Sequence, residues 1–257
     1  KWKLSGRDSR AYDWATANHD HEDLRMAVYA AMIDSMDQNI GRLMTALKKS
    51  GEADNTLVLF LSDNGGCAEE PGGRSPKIVP GPKEFYAAVG PAWGWAQNAP
   101  FRRYKSWAHE GGIATPCIAW WPGQIKANSI TKEVGHIIDF MPTFLELAGG
   151  KYPAKYKGND ILPVEGKSLL PILNGGKRVG HEQIAWEWSG NRALREGKWK
   201  LVWDKLDKRW SLFDLEADRT ETNDLASANP KRVVRLKKDW FVWAKKCGFN
   251  IDKLPGR

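Results

Sequence analysis

The stretch TLVLFLSDNGG, from Thr56 to Gly66, carries the first indication of both fold and chemistry. Its apolar run does not alternate with polar residues, and it therefore predicts a strand over Thr56–Leu61 that is buried on both faces. This strand leads directly into Asp63, Asn64 and two glycines. An ordinary Asx-type turn uses these residue types, and so does a site for a hard metal ion such as Ca²⁺ or Mg²⁺. On its own, the stretch leaves both interpretations open.

The residues before this strand predict a helix. Apolar side chains recur at steps of three and four between Leu24 and Lys49, which places them on one face: Val28, Met32, Met36, Ile40, Leu43, Met44 and Leu47. A helix followed by a buried strand is half of a parallel α/β unit. Residues 1–22 are polar and irregular. The Gly- and Pro-rich segment 65–100 lacks clear periodicity, which is typical of a long functional loop.

The α/β pattern continues further along the chain. Cys117–Trp121 predicts a second buried strand between a Thr-Pro and a Pro-Gly pair. His136–Leu147 predicts a helix with Asp139 as its N-cap. Ser168–Leu173 predicts one short helical turn more.

Beyond about residue 176, short aromatic segments predict an antiparallel meander. They are Gln183–Trp188, Arg192–Arg195, Lys198–Trp203 and Trp210–Leu215. Pro230–Lys246 then predicts an amphipathic, basic helix. The predicted fold class is therefore α/β with a small C-terminal antiparallel sheet and a helix. The predicted domains are residues 1–176, which are α/β, and residues 177–257, which are α+β.

The composition limits the class of protein. A net charge of +8 over 257 residues favours an anionic partner such as nucleic acid, a sulfated glycan or a membrane surface, although a solvated basic face is equally compatible with it. No apolar run approaches the roughly 18 residues that a membrane span needs. Cys67, Cys117 and Cys247 allow at most one disulfide, and they leave the redox compartment open.

The polar residues at the end of the first strand lie where ligands bind. In open α/β sheets, ligands bind beyond the carboxyl ends of the strands. Asp63 and Asn64 offer hard oxygen ligands there, and the glycines would allow a ligand to approach the backbone closely. A second block, Asn98–Gly123, has four side chains that could present cationic donors to one anion: Arg102, Arg103, Lys105 and His109. The alternative is a solvated basic loop that leads into the next strand.

Six blocks in order resemble the sulfatase family of the alkaline-phosphatase-like superfamily, and the spacing of the second and third blocks is most similar to its arylsulfatase branch. They are YAAMIDSMDQNIGRLMTALKKSG, NTLVLFLSDNGG, APFRRYKSWAHEGGIATPCIAWWPG, HIIDFMPTFLELAG, GNRALREGKWKLV and SLFDLEADRTETNDLA. The resemblance covers nearly the whole chain. It implies a mainly parallel sheet flanked by helices, and hydrolysis of a sulfate ester of a carbohydrate or an aryl alcohol.

The resemblance also implies roles for individual residues. Asp63 and Asn64 match one pair of calcium ligands, so the expected cofactor is Ca²⁺. Lys105 matches the lysine that bridges the substrate sulfate and the catalytic nucleophile, and it is the catalytic and substrate-binding candidate. His109 and Glu110 match a turn that holds this lysine in place, and His109 is a second substrate-binding candidate.

Two parts of the family pattern are missing from the sequence. No C/S-x-P-x-R sequence, whose Cys or Ser becomes the formylglycine nucleophile, occurs in the chain, and no adjacent Asp-Asp pair completes the calcium site. We therefore expect the chain to be the C-terminal portion of a sulfatase. Its expected partner is the N-terminal half with the formylglycine, and the chain alone is expected to be inactive.

Two rival functions remain open from the sequence. A phosphoesterase of the same superfamily also uses Asp-rich metal pairs. A non-catalytic, basic module that binds glycan or nucleic acid belongs to a different class, but it leaves the SDNG and Lys105 blocks unexplained. We expect a sulfated small molecule or glycan as the substrate, no nucleic-acid partner and no membrane span. Family habit implies a periplasmic, secreted or lysosomal location.

Overall fold

The computed structural model describes residues 17–70, 77–85 and 87–256. The helices are α1 (His19–Lys49), α2 (Gly90–Asn98), α3 (Glu110–Ile113), α4 (Phe140–Leu147), α5 (Leu170–Leu173) and α6 (Pro230–Lys246). The strands are β1 (Val58–Leu61), β2 (Cys117–Trp120), β3 (Lys155–Tyr156), β4 (Asn159–Asp160), β5 (Ile184–Trp188), β6 (Asn191–Glu196), β7 (Trp199–Asp204) and β8 (Arg209–Asp214). Short 3₁₀ turns lie at Ala53–Asn55, Ile137–Asp139 and Ile251–Lys253.

The chain divides into two compact units, and each consists of separate stretches of sequence. The first unit contains Lys1–Gly41, Leu61–Pro116 and Gln183–Arg257. The second unit contains Arg42–Phe60 and Cys117–Glu182. The domain boundary between residues 176 and 177 stays a prediction.

The C-terminal sheet confirms the predicted meander. Strands β5 to β8 are hydrogen-bonded in sequence order, and every neighbouring pair is antiparallel. Leu194, Leu201 and Leu212 lie opposite one another across β6, β7 and β8. On this face, Leu236 and Trp240 of α6 complete a core cluster. Helix α6 has the predicted bounds, and its apolar side covers the sheet.

The opposite face of the same sheet is also covered. Because successive strand residues point to opposite faces, Ala193, Val202 and Phe213 lie on the side away from α6. They form a second core cluster with Ala108, which belongs to the segment that contains Lys105. The sheet therefore supports the backbone of the predicted site.

Helix α1 confirms the predicted helix, and its apolar face is only partly covered. It begins at His19, five residues before the predicted start, so residues 19–22 are helical rather than irregular. Its buried residues are charged, namely Glu22 and Arg25. The residues of the predicted apolar face are half-buried or exposed, and Met32 is 67% exposed. Residues 1–16, which make up most of the predicted irregular segment, lie outside the described residues.

The two predicted buried strands are present, but the prediction that they are buried was wrong. β1 and β2 are partly exposed, and Ile118 of β2 is 61% exposed. A strand is buried on both faces only when layers cover both sides of its sheet. In residues 17–70, 77–85 and 87–256, β1 and β2 form a sheet of two strands.

The predicted long loop contains a helix that the sequence pattern did not indicate. Helix α2 has a Pro in its first turn and the sequence GPAWGWAQN, which lacks a polar face. Residues 71–76 and 86 of this segment lie outside the described part of the chain. The predicted turn at Ser168–Leu173 is confirmed as α5.

Asp139 is the N-cap residue of α4, as predicted, but its side chain makes no capping hydrogen bond to that helix. His136 is the N-cap of the 3₁₀ turn, and the buried Asp139 carboxylate accepts a hydrogen bond from the His136 N–H at 2.9 Å, as the third residue of a capping box. The same carboxylate binds Arg178 Nη2 at 2.7 Å and His181 Nε2 at 2.6 Å. The role of Asp139 is therefore structural, as predicted.

The structure also describes the cysteines and the hydropathy of the helices. Cys67, Cys117 and Cys247 are all free thiols. No helix of the described chain combines the length and the hydropathy that a membrane crossing requires.

Candidate active site

The two predicted site segments lie against each other. The Lys105 N–H donates to the carbonyl oxygen of Gly66 at 3.1 Å, and the Gly65 N–H donates to that of Gly112 at 3.1 Å. These bonds join residues about 40 positions apart in sequence. They place the turn after β1, with Asp63 and Asn64, beside the segment that carries Lys105.

The glycines of both segments are required by this close packing. A Cβ at Gly65 would lie 1.8 Å from the carbonyl oxygen of Gly111, and a Cβ at Gly111 would lie 2.2 Å from that of Arg103. Real Cβ atoms do not approach oxygen so closely. The sequence interpretation assigned the glycines after Asn64 to ligand access, whereas in the structure Gly65 allows backbone to pack on backbone.

Asn98 is a supporting residue that the sequence pattern did not reveal. Its Oδ1 accepts a hydrogen bond from the Gly66 N–H at 2.9 Å. Its Nδ2 donates to the Gly94 carbonyl of α2. The C-terminal end of α2 therefore fixes the turn after β1, and a helix had to be recognised there before this contact could be predicted.

The Lys105 ammonium group has one direct partner in the described structure. Its Nζ lies 3.2 Å from Glu69 Oε2, and the two side chains are 32% and 60% exposed. The hydrogen bond that Lys105 donates to Glu69 raises the pKa of Lys105 above its ordinary value, and electrostatic interactions with Cys67, Glu69 and Asp63 act in the same direction, whereas burial opposes them. Lys105 is therefore a stable cation at neutral pH. It acts as a charged donor rather than as a base.

Asp63 and Asn64 keep their oxygen atoms available. Asn64 Nδ2 donates to the Gly65 carbonyl at 2.9 Å, which leaves its Oδ1 directed elsewhere. Asp63 is exposed, and its carboxylate has no hydrogen-bond partner among the residues described. Hard oxygens without protein partners fit a Ca²⁺ ligand set, and Ca²⁺ takes six to eight of them. No group of three or more His, Cys, Asp or Glu side chains in the described ranges could hold a metal ion.

His109 does not lie at an accessible surface. The ring is 2% exposed and lies between the rings of Trp107 and Phe213, with centroids 6.4 Å away on both sides. Burial lowers the pKa of His109 well below its ordinary value, and the charges of Arg102 and Lys200 act in the same direction. A neutral, enclosed imidazole fits the structural role predicted for this turn. Its predicted contact with substrate stays untested.

The structure does not direct the four predicted donors at one anion. Arg103 is fully buried, donates to Asp204 Oδ2 at 2.6 Å and lies 4.1 Å above the Trp107 ring. Arg102 donates to the Glu221 carbonyl at 3.2 Å. These arginines hold the segment to the C-terminal sheet, so Lys105 is the cation of this set that remains for a ligand.

A buried ionic cluster lies next to the His109-Glu110 turn. Lys200 of β7 is fully buried, and its Nζ lies 2.8 Å from Glu110 Oε1 and 2.9 Å from Glu221 Oε1. Glu221 Oε2 accepts a hydrogen bond from the Glu110 N–H at 2.7 Å, and Arg219 Nε binds Glu110 Oε2 at 3.1 Å. The cluster links three separate parts of the chain at the turn that follows Lys105.

The two carboxylates of this cluster titrate differently. Burial acts to raise the pKa of Glu110, but Lys200 and Arg219 outweigh it and the pKa lies below its ordinary value. Burial raises the pKa of Glu221, and the charge of Glu110 adds to this against the opposing charge of Lys200. Glu110 is therefore the main counter-ion of Lys200.

Models of known families match both halves of the chain. The model described as sulfatase matches residues 6–150, and the model of the C-terminal part of N-sulphoglucosamine sulphohydrolase matches residues 101–239. The chain belongs to the sulfatase family.

Individual relatives agree with this assignment. An uncharacterized sulfatase of Schizosaccharomyces pombe is 33% identical over 95% of this sulfatase chain and 48% of its own length. The N-acetylgalactosamine-6-sulfatase of Rattus norvegicus is 34% identical over 72% of this chain and 30% of its own length. The chain thus spans about half or less of the relatives that it matches.

A solved structure confirms the predicted fold class. The crystal structure of Ps i-CgsB superposes with a TM-score of 0.65 at 24% identity, over 93% of this sulfatase chain and 46% of the other. This likeness shows an alkaline-phosphatase-like fold. Within it, the chain contributes β1 and β2 and the small antiparallel sheet with α6.

We predict that Gly65→Ala destabilises the sulfatase chain. The new Cβ would overlap the Gly111 carbonyl oxygen, and relief by a backbone shift costs about 1–3 kcal/mol. Urea denaturation followed by tryptophan fluorescence measures the loss. Gly41→Ala is the matched control, because nothing lies within 4 Å of a Cβ there and the change should stabilise α1 by up to about 1 kcal/mol. Equal stability of Gly65→Ala and the wild type would contradict the packing described.

We also predict that Glu69→Gln makes Lys105 a better anion site. Loss of the Glu69 charge removes a competing partner, so the dissociation constant for inorganic sulfate should fall roughly two- to fivefold, the size of an exposed ion pair. Isothermal titration calorimetry measures it. Glu146→Gln changes an exposed carboxylate of α4 by the same charge and should leave the constant unchanged. An equal effect of both substitutions would show that only net charge matters.

Proposed function

We propose that this chain forms the metal- and sulfate-binding portion of a sulfuric ester hydrolase. The observation that supports the proposal is the Gly66–Lys105 backbone hydrogen bond, which joins the segment of Asp63 and Asn64 to the segment of Lys105. Neither segment alone distinguishes this function from a turn or a basic loop. Their contact is what a metal-assisted reaction at an anionic group requires.

Lys105 binds the sulfate group of the substrate in this proposal. A compact ammonium neutralises one sulfate oxygen as a point charge. Because Glu69 holds the ammonium in the ligand-free chain, sulfate binding exchanges one anionic partner for another. The negative charge that develops in the transition state strengthens the interaction with Lys105, and this difference is what accelerates a reaction.

Asp63 and Asn64 would hold the proposed Ca²⁺ through the carboxylate and through Oδ1. When bound, the ion would polarise the sulfate and offset negative charge. The Asn64 Nδ2–Gly65 hydrogen bond orients the amide so that the oxygen is the available atom. Further ligands are required, because two side chains cannot fill a calcium coordination sphere.

A formylglycine nucleophile and the remaining calcium ligands are proposed to come from an N-terminal segment. The share of the relatives that this chain spans supports this, since it leaves half or more of their length unmatched. The exposed apolar face of α1 is a surface that such a segment could cover. Inactivity of the chain alone follows from the same proposal.

A sulfated carbohydrate is the proposed substrate class. The rat relative is named for a sulfated amino sugar, and the chain shares 34% identity with it. The net charge of +8 favours an anionic substrate by long-range attraction. The periplasmic, secreted or lysosomal location stays a prediction.

We predict that Lys105→Ala in the full-length protein lowers kcat for aryl sulfate hydrolysis by roughly 10²–10³-fold, which is the effect of removing one transition-state donor. Release of 4-nitrophenol from 4-nitrophenyl sulfate measures the rate, and circular dichroism checks the fold. Lys126→Ala, which removes an exposed lysine outside the site, should retain the wild-type rate.

Two results would contradict the proposed function. One is a near wild-type rate for Lys105→Ala. The other is a preference of the wild-type protein for 4-nitrophenyl phosphate over the sulfate, which would favour the phosphoesterase alternative.

A further inference from the structure

Helix α6 is strongly basic. It contains seven Lys or Arg residues and one Asp, in a chain of net charge +8. Its arginines have partners: Arg232 lies 4.1 Å above the Trp199 ring, and Arg235 pairs with Glu196 and Asp239. The uncompensated charge of the helix therefore belongs to its lysines.

Three of these lysines surround one groove. The groove has a volume of ≈ 330 Å³ and is lined by Lys237, Lys238 and Lys245. None of the three ammonium groups has a carboxylate partner in the part of the chain that the structure describes. A groove lined by several unpaired cations favours the binding of an anionic ligand.

The floor of the groove is apolar. Val234, Phe241, Val242 and Ile251 line it between the lysines, and both valines are 63% exposed. A hydrated inorganic ion has no apolar surface to bury on such a floor, so the floor does not stabilise its binding. A ligand with C–H surface between its anionic groups can bury that surface here.

The spacing of the lysines favours an extended ligand. Lys238 and Lys245 lie seven residues apart on the same side of α6, which corresponds to roughly 10 Å along the helix axis. One sulfate or phosphate group would contact both ammonium groups only if the two side chains bent toward each other. A chain that carries several anionic groups can pair with both lysines in extended conformations.

We infer that this groove binds a segment of a sulfated polysaccharide. The sulfate groups would pair with Lys237, Lys238 and Lys245, and the C–H faces of the sugar rings would lie on the valines. The groove contains neither Lys105 nor Asp63, so it is an accessory site that holds the polymer while another part of it is hydrolysed. The inference rests on the proposed function for its choice of ligand.

Two other polyanions fit the surface less well. A helix that lies in a membrane interface directs Trp, Phe or Leu outward, whereas Trp240 and Trp243 of α6 pack in the core on the sheet. Single-stranded nucleic acid is bound by stacking on exposed aromatic rings, and Phe241 is only 8% exposed.

The test compares the wild-type full chain with the triple variant Lys237→Gln, Lys238→Gln and Lys245→Gln. Binding of dextran sulfate and of uncharged dextran is measured by isothermal titration calorimetry. Three lost exposed ion pairs should raise the dissociation constant for dextran sulfate roughly tenfold. Uncharged dextran should not bind measurably to either protein.

The matched control removes the same charge elsewhere. Lys48→Gln, Lys49→Gln and Lys126→Gln replace exposed lysines outside the groove and should leave the constant within about twofold of the wild type. An equal loss in both triple variants would overturn the inference, since net charge would then explain binding. Tighter wild-type binding to phosphatidylserine vesicles or to single-stranded DNA than to dextran sulfate, lost in the groove variant, would also overturn it.

Hydrolysis by the full-length protein separates this inference from the proposed function. The groove variant should hydrolyse 4-nitrophenyl sulfate at the wild-type rate and show a raised KM for a sulfated polysaccharide. If neither protein hydrolyses sulfate but the groove variant loses polymer binding, the proposed function fails and the binding site stands. If hydrolysis is present and both proteins bind the polymer equally, the accessory site alone fails.

Discussion

The candidate site depends on one interaction, the buried ion pairing of the Lys200 ammonium with Glu110 and Glu221. The ammonium lies between Glu110 and Glu221, and all three side chains are removed from water. Removing one partner of such a pair leaves an uncompensated buried charge and typically costs about 3–5 kcal/mol. The chain can therefore place the Glu110 turn in few ways other than against β7. Because Lys105 lies five residues before this turn, its backbone position follows from the C-terminal sheet.

This constraint explains why a small antiparallel sheet belongs to the same compact unit as Asp63 and Asn64. One face of the sheet is closed by α6, and the other carries the cluster and the Lys105 segment. That segment in turn packs on the turn after β1 through glycines that allow no Cβ. The positions of Asp63 and Asn64 are thus set by contacts that begin at Lys200, and their side-chain oxygens remain free for a cation.

The sequence predicted the elements better than their surroundings. The meander and α6 were predictable because local alternation and helical periodicity determine them. The roles of Asp63, Asn64 and Lys105 were assigned from the resemblance of their motifs to the sulfatase family, and they stay predictions. The burial of β1 and β2 was predicted wrongly. An apolar run indicates that a strand can be buried, but it does not indicate which layers of the described structure cover the strand. The Glu69–Lys105 pair, the Asn98 contact and the enclosure of His109 depend on tertiary contacts that no periodicity encodes.

The central claim is that Asp63, Asn64 and Lys105 together bind a cation and a sulfate. A crystal structure of the full-length protein grown with Ca²⁺ and sulfate tests it most directly. The account predicts a cation about 2.3–2.6 Å from an Asp63 oxygen and from Asn64 Oδ1, with a sulfate oxygen hydrogen-bonded to Lys105 Nζ in place of Glu69. A cation coordinated without Asp63 and Asn64, or a sulfate bound away from Lys105 while the Glu69 pair remains intact, would contradict it.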